Sequence, residues 1–208
     1  MSTTDSQNEA DTLLSPLIDT NADILTQLHT RLVTESETAG LLDIAYHTTD
    51  TPVGKLLLAA TEKGLVRVAY QSEDHDRVLQ ALADKVSPRV LKAPKRLDPV
   101  VEQLDEYFTG ERTQFDLPLD LTLSGGFRKT VLEHLPEIPY GHTESYSEVA
   151  KVLGNPKAVR AVGSACANNP LPVVVPCHRV LRSDGTLGGY LGGLKTKQTL
   201  LSLEAAAA

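Results

Sequence analysis

The 208-residue chain contains no tryptophan, three phenylalanines and two cysteines. Two cysteines cannot build a disulfide framework. With no CxxC or Cys/His cluster to hold structural zinc, neither a metal nor a cofactor is expected. No apolar run is long enough to cross a membrane. The stretch Met1 to Asp11 is polar and acidic, unlike a charged-then-apolar signal. The expectation is a cytoplasmic protein without membrane contact. Basic charge is also scarce: 20 Lys and Arg face 27 Asp and Glu, for a net charge of −7. The deficit is uneven, with net −6 over residues 1–40, −4 over 41–120 and +3 over 121–208. A phosphate backbone can therefore approach the last third and little else, with modest, salt-sensitive affinity.

The hydrophobic content of 41% and charged content of 23% suit a globular chain. Residues 1–40 read as an extension, partly helical. Ile24, Leu25, Leu28, Leu32 and Val33 recur at helical spacing after a cap at Thr20 or Asn21, as a helix packed on the body or one that binds a partner. From Asp43 the pattern turns to strands at Ile44–Thr48, Lys55–Thr61 and Leu65–Tyr70. The turn signals Thr51-Pro52-Val53-Gly54 and Glu62-Lys63-Gly64 separate them, predicting an antiparallel meander. Leu97, Val100, Val101, Leu104, Tyr107 and Phe108 predict a helix ending at Gly110. Sheet and helix make a small α/β domain over 41–120.

Residues 121–208 read as mostly helical. Phe127, Val131, Leu132 and Leu135 form one face, stopped by Pro136. Ser145-Tyr146-Ser147-Glu148 is a capping box, followed by the apolar Val149, Ala150, Val152 and Leu153 and by Gly154. Asn155 is expected to cap the next helix, with Pro156 at its first position. Helix, glycine-containing turn and helix make a helix-turn-helix. On the second helix Ala158, Val159, Val162, Ala165 and Cys166 are expected to face the core. Arg160, Gly163, Ser164 and Ala167 form another stripe, flat except for one arginine. A recognition helix in the major groove offers several long polar side chains. This stripe suits a sugar-phosphate surface or minor groove instead, and equally a helix–helix contact.

Val173-Val174-Val175 reads as a short buried strand delivering Pro176-Cys177-His178-Arg179. A cysteine beside a histidine at a strand end is a candidate nucleophile with its base, although most buried cysteines only pack. On the last helix Glu204 lies four and three residues after the inward-facing Leu200 and Leu201. A carboxylate on an apolar stripe needs a buried partner. Bonded to one nitrogen of His178, it would fix the tautomer and free the other for Cys177. Spacing alone leaves open that Glu204 splays into solvent.

Residues 124–204 resemble the catalytic domain of O6-alkylguanine-DNA alkyltransferases, also called methylated-DNA–protein-cysteine methyltransferases. The resemblance runs through Ile138-Pro139-Tyr140-Gly141, Ser145-Tyr146, Gly154-Asn155-Pro156 and Arg160-Ala161-Val162-Gly163. It continues through Asn169-Pro170, Val175-Pro176-Cys177-His178-Arg179-Val180, Gly189-Tyr190, Gly192-Gly193 and Lys197 to Glu204, in order and without gaps. The meander from Thr51 to Tyr70 resembles the family's ribonuclease-H-like N-terminal domain. The fold implied is α+β, with that domain followed by a winged-helix-like, helix-turn-helix catalytic domain over 121–208.

The resemblance implies a monomeric repair protein consumed by its own reaction, acting on double-stranded DNA containing O6-alkylguanine. O4-alkylthymine is a second candidate lesion. The damaged base is flipped into a pocket. Cys177 would accept the alkyl group, and His178 would take the thiol proton through a water, oriented by Glu204. Tyr146 would donate to the departing guanine. Arg160 would fill the gap in the duplex, beside Ser164 on the DNA face. Asn169 would be the hinge, Tyr190 and Lys197 would belong to the pocket, and the backbone of Cys177 and Val180 would read the guanine edge. Two departures bear on this: Leu191 stands where the family has a small residue, pointing either into the pocket or out of it. Ala167 replaces a DNA-contacting basic residue of some members. Two rivals remain: a lesion-binding alkyltransferase-like protein, which would lack the acceptor cysteine, and a thiol sensor using Cys166 and Cys177.

Overall fold

The computed structural model describes residues 23–206. The chain divides into two units, Met1–Leu42 and Asp43–Ala208. The first holds helix α1 over residues 23–38, on which Ile24, Leu25, Leu28 and Leu32 are exposed. The cap expected at Thr20 or Asn21 lies outside the described residues.

The second unit opens with the expected meander. Strands β1 (Ile44–Thr51), β2 (Gly54–Thr61) and β3 (Gly64–Tyr70) pair antiparallel in that order. Two elements go beyond the sequence reading: helix α2 (His75–Lys85), capped by Asp74, and strand β4 (Val90–Lys92), which pairs parallel with β1. The sheet order is β3-β2-β1-β4. Alternation along β2 serves two cores. Leu57 and Ala59 meet Val78 and Leu82 of α2, whereas Leu56, Leu58 and Ala60 face the larger core. Helix α3 (Asp98–Thr109) adds Val100, Leu104 and Tyr107 to that larger core and ends, as expected, at Gly110 in the left-handed region.

The larger core continues without a break into the second half. Val131 and Leu132 come from α4 (Phe127–His134) and Val149 and Ala150 from α5 (Tyr146–Val152). Val162 comes from α6 (Val159–Ala167) and Leu200 from α7 (Leu194–Ala206). A two-residue parallel pair, β5 (Glu144–Ser145) with β6 (Val180–Leu181), ties the start of α5 to the segment after Cys177. The capping box forms as expected: Ser145 Oγ accepts from Glu148 N, and Glu148 Oε2 accepts from Ser145 N.

Three expectations are corrected. Val173–Val175 is a buried turn, closed by Val175 N donating to Leu171 O at 2.8 Å, with Val173 at φ 73°. Prolines at 170, 172 and 176 remove too many donors for a paired strand. Asn155 does not cap α6. Pro156 instead takes the second position of a turn in which Ala158 N donates to Asn155 O, so the helix starts at Val159 without a side-chain cap. Val152 and Val159, read as core-facing, are exposed. Both lie beside the turn, at helix ends where the apolar stripe has run out.

The free edge of β3 is covered by the chain itself, which removes a template for edge-to-edge pairing. Leu65 N donates to Pro118 O, Asp120 N to Leu65 O, and Val68 N to Pro170 O, each at 2.8 Å. Gly64 allows this closure. A Cβ there would lie 2.1 Å from Pro118 O, on a backbone with φ 138°. Gly64→Ala is therefore expected to cost about 2–3 kcal/mol in urea unfolding. Gly163→Ala, with open space and an ordinary helical backbone, should be neutral or gain about 0.5–1 kcal/mol. Equal effects at the two sites would contradict closure of the edge.

Candidate active site

Directly after the Val173–Val175 turn, a 3-10 turn spans Cys177–Arg179. All three residues are buried. Its neighbours come from the two ends of the fold: Tyr107 on α3 and Glu204 on α7. Glu204 is 1% exposed, and its carboxylate is surrounded by donors. Oε1 accepts from Tyr107 Oη at 2.7 Å and from Arg179 Nη2 at 3.0 Å, and lies 2.8 Å from His178 Nε2. Oε2 accepts from Arg179 Nε at 2.9 Å and from Gly141 N at 3.3 Å. The third guanidinium nitrogen, Arg179 Nη1, donates to Ile138 O at 2.6 Å. Burial alone would raise the Glu204 pKa, but the hydrogen bonds from His178 and Arg179, together with the Arg179 charge, outweigh it and hold the carboxyl at about 2.

This geometry fixes the histidine. With a carboxylate 2.8 Å from Nε2, that nitrogen carries the proton. Nδ1 then keeps its lone pair, and it has no hydrogen-bond partner among the described residues. Burial pushes the His178 pKa below its ordinary value, against the opposing pull of Glu204. A neutral imidazole with an uncommitted Nδ1 is a base ready to take a proton.

The thiol is held from its other side. Asn169, 1% exposed, donates through Nδ2 to Cys177 Sγ at 3.1 Å and to Val175 O at 2.8 Å, while its Oδ1 accepts from Leu171 N. Burial pushes the Cys177 thiol up to about 11, and the Asn169 hydrogen bond and Lys197 pull the other way. At pH 7 roughly one molecule in ten thousand would carry a thiolate, so chemistry at this sulfur needs a base at the moment of reaction. Lys197 is fully buried and donates to Val180 O at 2.5 Å; burial lowers its pKa. That carbonyl retains a second lone pair.

Two tyrosines pack against the core that contains the thiol. Tyr190 shares a hydrogen bond with Tyr70 at 2.9 Å between hydroxyls and sets its ring edge-on to His178. Tyr146, the first residue of α5, has its pKa pushed up to about 12 by burial, so it stays protonated. The glycine-rich loop owes part of its composition to these rings. A Cβ at Gly188 would lie 2.3 Å from Tyr146 Oη, and one at Gly192 would lie 2.7 Å from the Tyr70 ring. The strand that leads into Tyr146 is pinned by His134, which contacts Glu137 at 2.9 Å and Glu144 at 3.1 Å. Burial works against a charged His134, but the two carboxylates win and raise its pKa.

Cys177, His178, Glu204, Asn169, Val180, Tyr190 and Lys197 thus come together, with Tyr146 beside them. Arg160 and Ser164 lie apart from this cluster, exposed with Ala167 on the outer stripe of α6. Leu191 lines a cleft beside α2 together with Asn168–Pro170. The sequence reading gave no role to Arg179 and treated Tyr107 only as core. A phenol on an apolar stripe is itself a signal, because a buried hydroxyl needs a partner.

A helix-turn-helix beside a buried thiol, with a carboxylate-oriented histidine next to it, outlines a DNA-binding fold that houses a cysteine site. The family models agree. The 6-O-methylguanine DNA methyltransferase DNA binding domain matches residues 126–206, and the ribonuclease-like domain of the same name matches residues 44–121. Methylated-DNA–protein-cysteine methyltransferase of Mycolicibacterium paratuberculosis is 43% identical over 161 residues, 77% of this chain and 92% of its own. The constitutive enzyme of Bacillus subtilis is 39% identical, covering 76% and 94%. Among solved structures, Mycobacterium tuberculosis O6-methylguanine methyltransferase superposes with a TM-score of 0.68 at 39% identity, covering 79% and 94%; Mycobacterium tuberculosis OGT in complex with DNA gives 0.67 at the same identity and coverage. The chain belongs to the 6-O-methylguanine DNA methyltransferase family.

Removing the Glu204 carboxylate should leave Arg179, His178 and Tyr107 without their acceptor. Glu204→Ala is expected to cost about 3–5 kcal/mol in urea unfolding at pH 7. The folded pKa lies below the ordinary value of 4.5. The carboxylate's contribution is therefore present above about pH 4.5 and lost as the pH falls toward 2. The gap between parent and variant should shrink over that window. A constant gap would show that the carboxylate charge is not what the site depends on.

Proposed function

We propose that this protein repairs O6-alkylguanine in double-stranded DNA by moving the alkyl group irreversibly to Cys177, once per molecule. The observation that carries this reading is the buried Cys177 thiol beside a histidine whose Nδ1 lone pair is kept available by Glu204. The names of the relatives and the DNA complex of one of them support it. The acceptor cysteine is in place, so a lesion binder without chemistry is not favoured. The two free thiols suit a reducing compartment, and we place the protein in the cytoplasm as a monomer.

The stripe of Arg160, Gly163, Ser164 and Ala167 lies along the minor groove. Arg160 enters the stack in place of the flipped guanine. The base sits between Tyr146 and Tyr190, its edge read by the carbonyls of Cys177 and Val180, the latter polarised by Lys197. Asn169 holds the thiol in line with the alkyl carbon and joins the recognition helix to the Cys177 turn. The thiol proton passes through a water to His178 Nδ1, and the imidazolium formed is stabilised by Glu204. Sulfur forms a bond to the alkyl carbon as the carbon–O6 bond breaks. Those electrons leave with guanine, which accepts a hydrogen bond from Tyr146 and is neutralised by one proton from solvent as His178 gives up the one it took from the thiol. Nothing in the site can cleave a thioether, so turnover stops at one. O4-alkylthymine presents a similar alkyl–oxygen bond and is a second substrate on the same chemistry.

The test is to incubate the protein with duplex DNA carrying O6-methylguanine and measure its mass. One added methyl on Cys177 is expected; bound DNA with no added mass would overturn the reading. Cys177→Ser should bind the duplex without gaining mass, and Cys166→Ser should still gain it. The reverse pattern would move the acceptor to Cys166. Flipping a base costs a few kcal/mol. Arg160→Ala should accordingly slow repair of duplex DNA by roughly 10–100-fold, far more than it slows reaction with free O6-benzylguanine. Equal losses would assign Arg160 to the fold instead.

A further inference from the structure

Beside the recognition helix lies a cleft of about 570 Å³ that the alkyl-transfer chemistry does not use. One wall is α2 with the end of β3, and the other is the C-terminal end of α6 and the Asn168–Pro170 turn. Arg67, Arg77, Lys85 and Arg128 line it, against a single carboxylate, Glu73. That carboxylate is already committed, to the Arg67 guanidinium and to Tyr70 N. Arg67 is fixed further by donating through Nη1 to Pro170 O at 3.2 Å. Arg77, Lys85 and Arg128 are exposed and hold no carboxylate among the described residues. Of the nearby acids, Asp74 caps α2 and Asp84 accepts from Gln80, while Asp76 is exposed in the first turn of the helix.

An exposed basic patch is most often a solvated face. Two features set this one apart. Residues 41–120 are acidic overall, at net −4, yet Arg67, Arg77 and Lys85 gather where that half meets the recognition helix. The cleft also opens at Ala167 and Asn168, where the exposed stripe of α6 runs out. A DNA backbone lying along that stripe continues toward the exposed side chains of Arg77, Lys85 and Arg128, none of them in an ion pair among the described residues. Leu191, with Ala81 and Pro170, supplies an apolar wall that suits the sugars between phosphates.

Building on the DNA-repair reading, we infer that this cleft is a second DNA-backbone site, in which Arg77, Lys85 and Arg128 hold phosphates beyond the recognition helix. The ribonuclease-like half then shares in binding the duplex. It reads no sequence, because guanidinium and ammonium groups on phosphates fix position only.

The test is fluorescence anisotropy of a labelled duplex carrying O6-methylguanine, titrated with the full chain at several salt concentrations. The triple variant Arg77→Gln, Lys85→Gln, Arg128→Gln is compared with Lys55→Gln, Lys63→Gln, Lys95→Gln, which removes the same charge elsewhere. Melting temperatures check that both are folded. Each lost phosphate contact lowers the salt slope by about 0.9. The cleft variant should therefore lose roughly 2–3 from the slope and bind about tenfold more weakly or worse, while the control keeps the parent slope. A cleft variant with the parent's slope, or a control that falls equally, overturns the inference. The parent's methyl uptake by mass is read in the same preparations. A parent that gains no methyl overturns the repair reading, whereas a reactive parent with an insensitive cleft overturns only the second site.

Discussion

The Glu204 carboxylate is the constraint around which the catalytic half is arranged. One buried anion collects donors from α3, from the Tyr140–Gly141 bend and from both residues after Cys177. A buried carboxylate facing only His178 would be costly, and desolvation would push proton sharing toward a neutral pair. Arg179 changes that balance. Its guanidinium meets the carboxylate with two nitrogens, so Glu204 stays charged while His178 stays neutral. Arg179 thus keeps the carboxylate charged, and its own charge helps to hold His178 neutral.

The same economy joins the two halves of the Asp43–Ala208 unit. Tyr107, on the ribonuclease-like side, reaches Glu204, and Tyr70 reaches Tyr190. Val68 and Arg67 both bond Pro170 O, and Pro170 follows Asn169, the residue that holds the thiol. The edge of β3 is therefore two bonded steps from the sulfur. A half that contributes neither Cys177 nor His178 still sets where both of them sit.

Much of this was legible in the sequence because it rests on local rules. Aliphatic, β-forming runs between turn signals gave β1–β3, and the Ser145–Glu148 box gave the start of α5. The flat stripe of α6 was readable as a DNA face or a helix contact, and in the structure Arg160, Ser164 and Ala167 are exposed. The cost of a lone carboxylate on an apolar face pointed Glu204 toward His178 but left a solvent-facing Glu204 open, and the structure brings the two together. What escaped depends on tertiary context. Helix α2 buries only Val78 and Leu82, too thin a stripe to stand out. The three residues of β4 are ordered by pairing with β1. The triple valine, strand-like by composition, is bent by its flanking prolines. Arg179 and Tyr107 meet through a residue 25 positions from one and 97 from the other, a distance no periodicity spans. The direction of Leu191 likewise depended on where α2 lies.

The place of Glu204 along the chain has a consequence for biosynthesis. A chain is made from its N-terminus, and its early parts begin to fold first, at about 5–20 residues per second. Tyr107, His178 and Arg179 all emerge before residue 204. Until α7 arrives, the tyrosine hydroxyl and the guanidinium lack their shared acceptor, and His178 has nothing to fix its tautomer. The nascent protein therefore carries Cys177 and His178 before it carries the carboxylate that orients the imidazole, and one of the last turns of helix to be made completes the cluster.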